Sequence, residues 1–136
     1  MQVQPYLFFD GRCEEAIAFY HDKLGADVTM LVRFKDLPEE EAGTIPPGGE
    51  NKVLHARFRI GDTAVMACDA DRQGHPGFEG FSLSVTASTP TDAEFMFAAL
   101  SEGGKVQMPL AKTIFSPCYG MVIDRFGVSW MVYVDP

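Results

Sequence analysis

The predicted order of secondary structure occurs twice along the chain, and this repeat constrains the fold more than any other feature. A strand, a helix and three further strands are predicted within residues 1–70, and the same order is predicted again within residues 79–136. Each half can therefore form a four-stranded sheet with one helix packed on one face. The two halves share negligible identity, so the repeat is one of architecture. We predict one domain over residues 1–136, since this length fits a single domain.

Periodic apolar residues and capping signals predict the positions of the two helices. The first helix is predicted over residues 12–24, and Gly25 is its natural end. Its apolar stripe consists of Cys13, Ile17, Tyr20 and Leu24. The second helix is predicted to begin at a capping box formed by Thr91 and Glu94, and to continue to about residue 102.

Two predicted strands alternate between apolar and polar side chains, which is typical of a sheet with one buried face. In residues 53–60 the polar side chains include His55, Arg57 and Arg59. In residues 81–86 they are Ser82, Ser84 and Thr86. We predict an α+β fold in which two βαβββ modules form a curved mixed sheet around a concave cup, with the helices on the outer face. Because ligand sites combine apolar walls with a few polar groups, the cup is the expected binding site.

The charge balance and the cysteine spacing exclude several classes of protein. A net charge of −8 argues against nucleic acid or an anionic membrane as a partner, because both attract a basic face. No apolar run approaches the roughly 18–20 residues of a membrane span. Cys13, Cys68 and Cys118 form no CxxC pair, so we expect neither a zinc site nor disulfides. Buried thiols and a cytoplasmic location are expected instead.

Four parts of the chain resemble a known family: residues 5–11, residues 13–20 with 24–26, residues 53–56 and residues 124–131. They resemble the PhnB-like branch of the vicinal-oxygen-chelate superfamily, which includes glyoxalases, bleomycin-resistance proteins and extradiol dioxygenases. The resemblance covers nearly the whole chain and implies paired βαβββ modules assembled as a homodimer. Members often carry methyltransferase names. The common S-adenosylmethionine enzymes, however, need a doubly wound sheet with a glycine-rich first turn, and the sequence has no GxGxG or GxGxxG motif.

The resemblance also implies four metal positions in catalytic relatives, one on each of the first, fourth, fifth and eighth strands, filled by His, Gln or Glu. Carried over to this chain, they fall at Pro5 beside Gln4, at Met66 or Ala67, at Gly80 or Phe81, and at Met131. Only Gln4 among these offers a nitrogen or oxygen ligand, whereas a divalent metal needs three or four. We therefore expect the usual metal site to be absent and no cofactor to be bound.

Seven residues are predicted to contact a ligand in the cup: Tyr6, Phe8, His55, Arg57, Ser84, Tyr119 and Met131. His55 is the strongest candidate, because an imidazole titrates near neutrality and can transfer a proton. Arg57 lies on the same strand face and can bind a carboxylate or a phosphate. Both residues also have a structural interpretation, since a lone histidine or arginine on a strand is more often an ordinary surface residue.

These features predict a small-molecule-binding protein of the glyoxalase/bleomycin-resistance type, with an unknown organic ligand and no nucleic-acid or membrane partner. The alternative is an enzyme of the same superfamily, of the lyase, isomerase or dioxygenase type. It would work without metal through His55, or with a non-standard metal site formed by His55, His75 and Asp69. A scaffold whose cup is filled by its own side chains is a third interpretation, because fold alone does not determine function.

Overall fold

The computed structural model describes residues 1–45, 47–70 and 77–136 of the chain. The chain divides into two compact units, Met1–Pro76 and Gly77–Pro136. Within the described residues, each unit has one α-helix and a four-stranded sheet of its own. The predicted α+β class and the two βαβββ modules are thereby confirmed. The single domain and the cup shared by both modules stay predictions.

The first unit contains β1 Tyr6–Phe8, α1 Cys13–Leu24, β2 Asp27–Arg33, β3 Val53–Ile60 and β4 Thr63–Cys68. The strand order in its sheet is β1-β4-β3-β2. β1 runs parallel to β4, while β3 pairs antiparallel with β4 and with β2. Two short 3-10 helices, Phe34–Asp36 and Glu39–Thr44, lie between β2 and β3.

The second unit contains β5 Leu83–Ala87, α2 Pro90–Ser101, β6 Lys105–Ala111, β7 Tyr119–Ile123 and β8 Ser129–Val134. Its strand order, β5-β8-β7-β6, repeats that of the first unit, and β5 is again parallel to the strand beside it. The strand predicted from residue 81 begins two residues later, at Leu83. In the described part of the chain, neither helix has the length and apolar character needed to cross a membrane.

One face of α1 packs on the first sheet and forms the core of that unit. Five side chains of the helix are buried: Cys13, Ala16, Ile17, Phe19 and Tyr20. The Tyr20 ring stacks on the Phe58 ring of β3, with 5.9 Å between the centroids. The predicted stripe is therefore confirmed at three positions, whereas Leu24 in the last turn is only half-buried. Gly25 ends the helix with a φ of 70°, a left-handed conformation that favours glycine.

The start of α2 differs from the prediction. Thr89 caps this helix instead of Thr91, because the Thr89 hydroxyl accepts a hydrogen bond of 3.1 Å from the Asp92 N–H. Pro90 occupies the first turn, where its missing N–H costs nothing, so the helix can begin before Thr91.

The Asp69 carboxylate ties the start of α1 to the start of β3. Its Oδ1 accepts a hydrogen bond of 2.7 Å from the Cys13 N–H, and its Oδ2 accepts one of 2.8 Å from the Val53 N–H. A negative charge is favourable at the N-terminus of a helix, where the first N–H groups have no partner within the helix. Asp69 therefore satisfies backbone donors of two elements at once.

The Asp124 carboxylate holds the turn between β7 and β8. Asp124 is only 2% exposed. Its carboxylate oxygens accept hydrogen bonds of 2.9, 3.1 and 2.9 Å from the backbone N–H groups of Phe126 and Val128 and from the indole Nε1–H of Trp130. A buried carboxylate is tolerated when hydrogen bonds satisfy its oxygens, as they do here.

Asp124→Asn is expected to lower the free energy of unfolding by about 2–4 kcal/mol. The amide nitrogen of the asparagine would face one of the three N–H groups that now donate hydrogen bonds to the carboxylate. Both groups would then be donors, and two donors cannot form a hydrogen bond. Urea denaturation measures the change. Asp135→Asn is the matched control because Asp135 is exposed. If both variants unfold at the same urea concentration as the wild type, Asp124 does not have this structural role.

Candidate functional site

The face of the first sheet that α1 leaves uncovered carries four of the predicted ligand residues. The register places Tyr6 beside Met66, and Met66 beside Arg57. Side chains directly across two strands share a face, and so do side chains two residues apart on one strand. The intervening residues Leu7 and Ala56 are buried on the helix side. We call the four residues on the uncovered face the aromatic–basic cluster: Tyr6, Phe8, His55 and Arg57.

Three side chains of this cluster, those of Tyr6, Phe8 and His55, lie against one another. The Tyr6 hydroxyl lies 3.0 Å from Nδ1 of His55, which is within hydrogen-bond distance. The ring centroids of Tyr6 and Phe8 are 5.0 Å apart, and those of Tyr6 and His55 are 5.6 Å apart. The structure therefore brings together three of the seven residues predicted to contact a ligand. That they contact a ligand stays a prediction.

Tyr6 keeps its proton well above neutral pH. Its partial burial, a hydrogen bond with the Cys68 thiol and the electrostatic effect of Cys68 and Cys13 raise the pKa of Tyr6 from 10.0 to about 12. A phenol that keeps its proton can donate it to Nδ1 of His55. The neutral imidazole then carries its own hydrogen on Nε2, where it can be donated to a ligand.

The three cysteines are free and buried, as predicted. Burial, followed by the negative charge of Asp69, raises the pKa of the Cys13 thiol well above its ordinary value. A thiol reacts as a nucleophile only after deprotonation, so Cys13 is unreactive at neutral pH. Cys13 contributes to the core beneath the cluster and supplies no chemistry to it.

The uncovered face of the second sheet carries the other three predicted residues. Ser84 pairs with Met131 across β5 and β8, and Tyr119 pairs with Tyr133 across β7 and β8. Trp130 alternates with these residues and is buried on the side of α2. On that side Gly120 packs against the helix so closely that a Cβ there would lie 2.8 Å from the Phe97 ring. Ser84, Tyr119 and Met131 therefore share the face opposite α2.

An open groove of about 530 Å³ lies beside the first residues of β8 in the second unit. Its lining includes Phe78, Glu79, Phe81, Gln107, Ile123 and Met131. The hydroxyls of Ser82 and Ser129 also line it, 2.6 Å apart. Among the residues predicted in this unit, Met131 lines the groove, whereas Ser84 and Tyr119 do not. Ser82 was named only as a polar-face residue and Phe81 only as a carried-over metal position. Phe78, Glu79, Gln107, Ile123 and Ser129 were missed because no sequence pattern shows that the segment before β5 lies beside β6 and β8.

The side chains of the described residues do not fit a metal site. Across residues 1–45, 47–70 and 77–136 there is no group of three His, Cys, Asp or Glu side chains able to hold a metal ion. Both oxygens of Asp69 already accept backbone N–H groups. His75 lies outside the described residues, so the alternative site of His55, His75 and Asp69 gains no support from the geometry.

The chain resembles several known proteins over nearly its whole length. Residues 1–133 match a family described as 3-demethylubiquinone-9 3-methyltransferase. Protein YjdN of Escherichia coli K12 is 32% identical, over 98% of this chain and 95% of YjdN. The crystal structure of PA1353 from Pseudomonas aeruginosa is 41% identical, with a TM-score of 0.85 over 99% of this chain and 98% of PA1353. The PhnB protein of Bacillus cereus is 28% identical, with a TM-score of 0.81 over 98% and 99% of the two chains.

The chain belongs to the PhnB-like family. The family expected from the sequence is thereby confirmed. A glyoxalase-related enzyme from Fulvimarina pelagi is 16% identical and has a TM-score of 0.65, over 100% of this chain and 89% of that enzyme. Identity this low shows the fold alone, so neither ligand nor reaction is transferred from that enzyme.

Alkaline titration tests the environment of Tyr6. The midpoint is expected at about 12 instead of 10.0, because burial and the neighbouring thiol disfavour the phenolate. The difference in phenolate absorbance between the wild type and Tyr6→Phe isolates this residue. Because folding raises this pKa, the stability it contributes is complete below pH 10 and is lost as the pH rises towards 12. A midpoint near 10 while circular dichroism still shows a folded protein would contradict this environment.

Proposed function

We propose that this protein binds a small organic ligand at the aromatic–basic cluster of its first unit. The observation that carries the proposal is the 3.0 Å contact between the Tyr6 hydroxyl and His55 Nδ1, which joins residues 49 positions apart in the sequence. The Phe8 ring packs against Tyr6 beside this contact. Rings, an imidazole and a guanidinium on one sheet face supply the apolar surface and the few polar groups typical of ligand sites.

The cluster is both accessible and preorganised. Tyr6 is 36% exposed, His55 is half-buried and Arg57 is exposed, so a ligand can reach all three. The hydrogen bond and the ring contacts hold Tyr6 and His55 in place before a ligand arrives. Binding therefore costs less side-chain entropy than it would at free surface residues.

The same contact favours a second candidate function, a metal-independent enzyme that uses His55 as a proton shuttle. A hydrogen-bonded phenol and imidazole can pass a proton between them, and a histidine is the commonest general acid or base. Binding is the better supported function because the cluster contains neither a carboxylate to orient the imidazole nor a reactive nucleophile. The two candidates differ in one measurable respect, since only the enzyme converts its ligand into a product.

Methyl transfer, which the family description names, is not part of the proposal. The common S-adenosylmethionine enzymes bind their cofactor at a glycine-rich turn of a doubly wound parallel sheet. In the described residues each sheet has one parallel pair at an edge, and its other pairs are antiparallel. The sequence also has no glycine-rich motif of the required spacing.

We also propose a cytoplasmic homodimer. β2 and β6 are edge strands, and each exposes apolar side chains by 43–47%: Val28, Met30, Val106 and Met108. Unpaired edges with exposed apolar side chains favour association with another strand or chain. Sedimentation equilibrium is expected to give twice the chain mass of 15.0 kDa. A monomer at micromolar concentration would count against the dimer.

Thermal shifts with a panel of small aromatic fragments test ligand binding. A fragment that binds the native state is expected to raise the Tm of the wild type by several degrees at about 100 times its Kd. His55→Ala and Tyr6→Ala should lose this shift because each removes one side of the cluster. Phe95→Ala is the matched control, since Phe95 is an exposed aromatic residue on α2 and lies outside the cluster. Equal shifts in all four proteins would exclude the cluster as the site.

The same assay with Ni²⁺, Zn²⁺, Mn²⁺ and Fe²⁺ separates binding from metal-dependent catalysis. The Tm is expected to stay unchanged, because the His, Cys, Asp and Glu side chains of the described residues form no group able to hold a metal ion. Stoichiometric metal in the purified protein, together with a raised Tm, would favour the enzyme with a non-standard site. Turnover of a bound fragment that His55→Ala abolishes would instead favour the enzyme that works without metal.

A further inference from the structure

We infer that the ligand of the aromatic–basic cluster is an organic anion, with a carboxylate held by Arg57 and His55 and an apolar body packed on Tyr6 and Phe8. This inference rests on the proposed function and adds the chemical class of the ligand. It follows from the pairing of the arginines, from the neighbours of Arg57 and from the arrangement of the rings.

Arg57 differs from the other arginines in its charge environment. Four arginines have a carboxylate oxygen within 4.0 Å, in the pairs Arg12–Glu15, Arg33–Glu14, Arg59–Asp62 and Arg125–Glu102. Within the part of the chain that the structure describes, Arg57 alone lacks such a partner. Acidic residues outnumber basic ones 19 to 11 in this protein, so an arginine without a carboxylate is unexpected on its surface. The guanidinium of Arg57 is therefore available to an external anion.

The strands beside Arg57 keep carboxylates away from it. Its cross-strand neighbours are Met30 on β2 and Met66 on β4, and neither carries a charge. Arg59 lies two residues further along the same face, opposite Asp27, and its guanidinium lies 3.7 Å from Asp62. No carboxylate directly across either strand therefore competes with an incoming anion for the Arg57 guanidinium. The two arginines thus provide a comparison within one strand.

The other members of the cluster complement a carboxylate attached to an apolar group. His55 lies two residues from Arg57 on the same face, about 6.6 Å along the strand. When Tyr6 donates to Nδ1, the Nε2–H of His55 remains as a donor on the sheet face that also carries Arg57. A guanidinium can donate two parallel hydrogen bonds to a planar carboxylate. The adjoining rings of Tyr6 and Phe8 offer an aromatic surface to the remainder of the ligand.

Calorimetric titration with three probes tests the inference: benzoate, benzamide as its neutral analogue, and inorganic phosphate. Benzoate is expected to bind the wild type more tightly than either of the other probes. Arg57→Gln should weaken benzoate binding about tenfold or more, because a charged hydrogen bond is lost. Arg59→Gln is the matched control and should retain the wild-type affinity. Added salt should weaken benzoate binding in the wild type and have less effect in Arg57→Gln.

Three outcomes would overturn the inference, and they differ in what they mean for the proposed function. If benzamide binds as tightly as benzoate and Arg57→Gln leaves the benzoate affinity unchanged, the ligand need not be an anion. The proposal that a ligand binds at the cluster is then unaffected. If phosphate binds as tightly as benzoate, the site takes a bare anion and needs no apolar body. If none of the probes binds and no fragment shifts the Tm, both proposals fail. Circular dichroism of both arginine variants shows whether each has kept its fold.

Discussion

One helix covers one face of each four-stranded sheet, so alternate residues of the strands meet different surroundings. On the helix side of the first unit, Leu7, Ala56 and Phe58 are almost fully buried. Residues of the same strands that point the other way lie on the face opposite α1, and these include Tyr6 and Arg57. The period of two along a strand thus separates the residues that stabilise the unit from those that can meet a ligand.

Two acidic side chains hold this arrangement through backbone groups. Asp69 fixes the start of α1 relative to β3, directly after the strand on which Cys68 lies beside Phe8. Asp124 fixes the turn before β8 and also accepts a hydrogen bond from the Trp130 indole. Residues 124–131, one of the segments that resemble the family, therefore include a turn held by a buried carboxylate. Their recognisable sequence identifies the fold and contributes no reactive group.

Much of the fold could be predicted from the sequence because its causes are local. Three positions of the α1 stripe, the helix end at Gly25 and the limits of β3 agree with the structure. The predicted N-cap of α2 was wrong: it was placed at Thr91, and the structure has it at Thr89. Both threonines can cap a helix, and only the backbone conformation decides which one does. The groove in the second unit could not be predicted, because its lining comes from segments that are distant in the sequence.

The sequence by itself determined the order of elements, the polarity of the strand faces in residues 53–60 and 81–86, and the residue types available for chemistry. These properties depend on neighbours along the chain, through helical and strand periods and through capping residues. Only the tertiary structure decided that the Tyr6 hydroxyl contacts His55 and that Arg57 lies between two methionines. It also decided that both carboxylate oxygens of Asp69 accept hydrogen bonds from backbone N–H groups. Strand register sets these contacts, and a shift of one residue would turn every side chain of a strand to its other face.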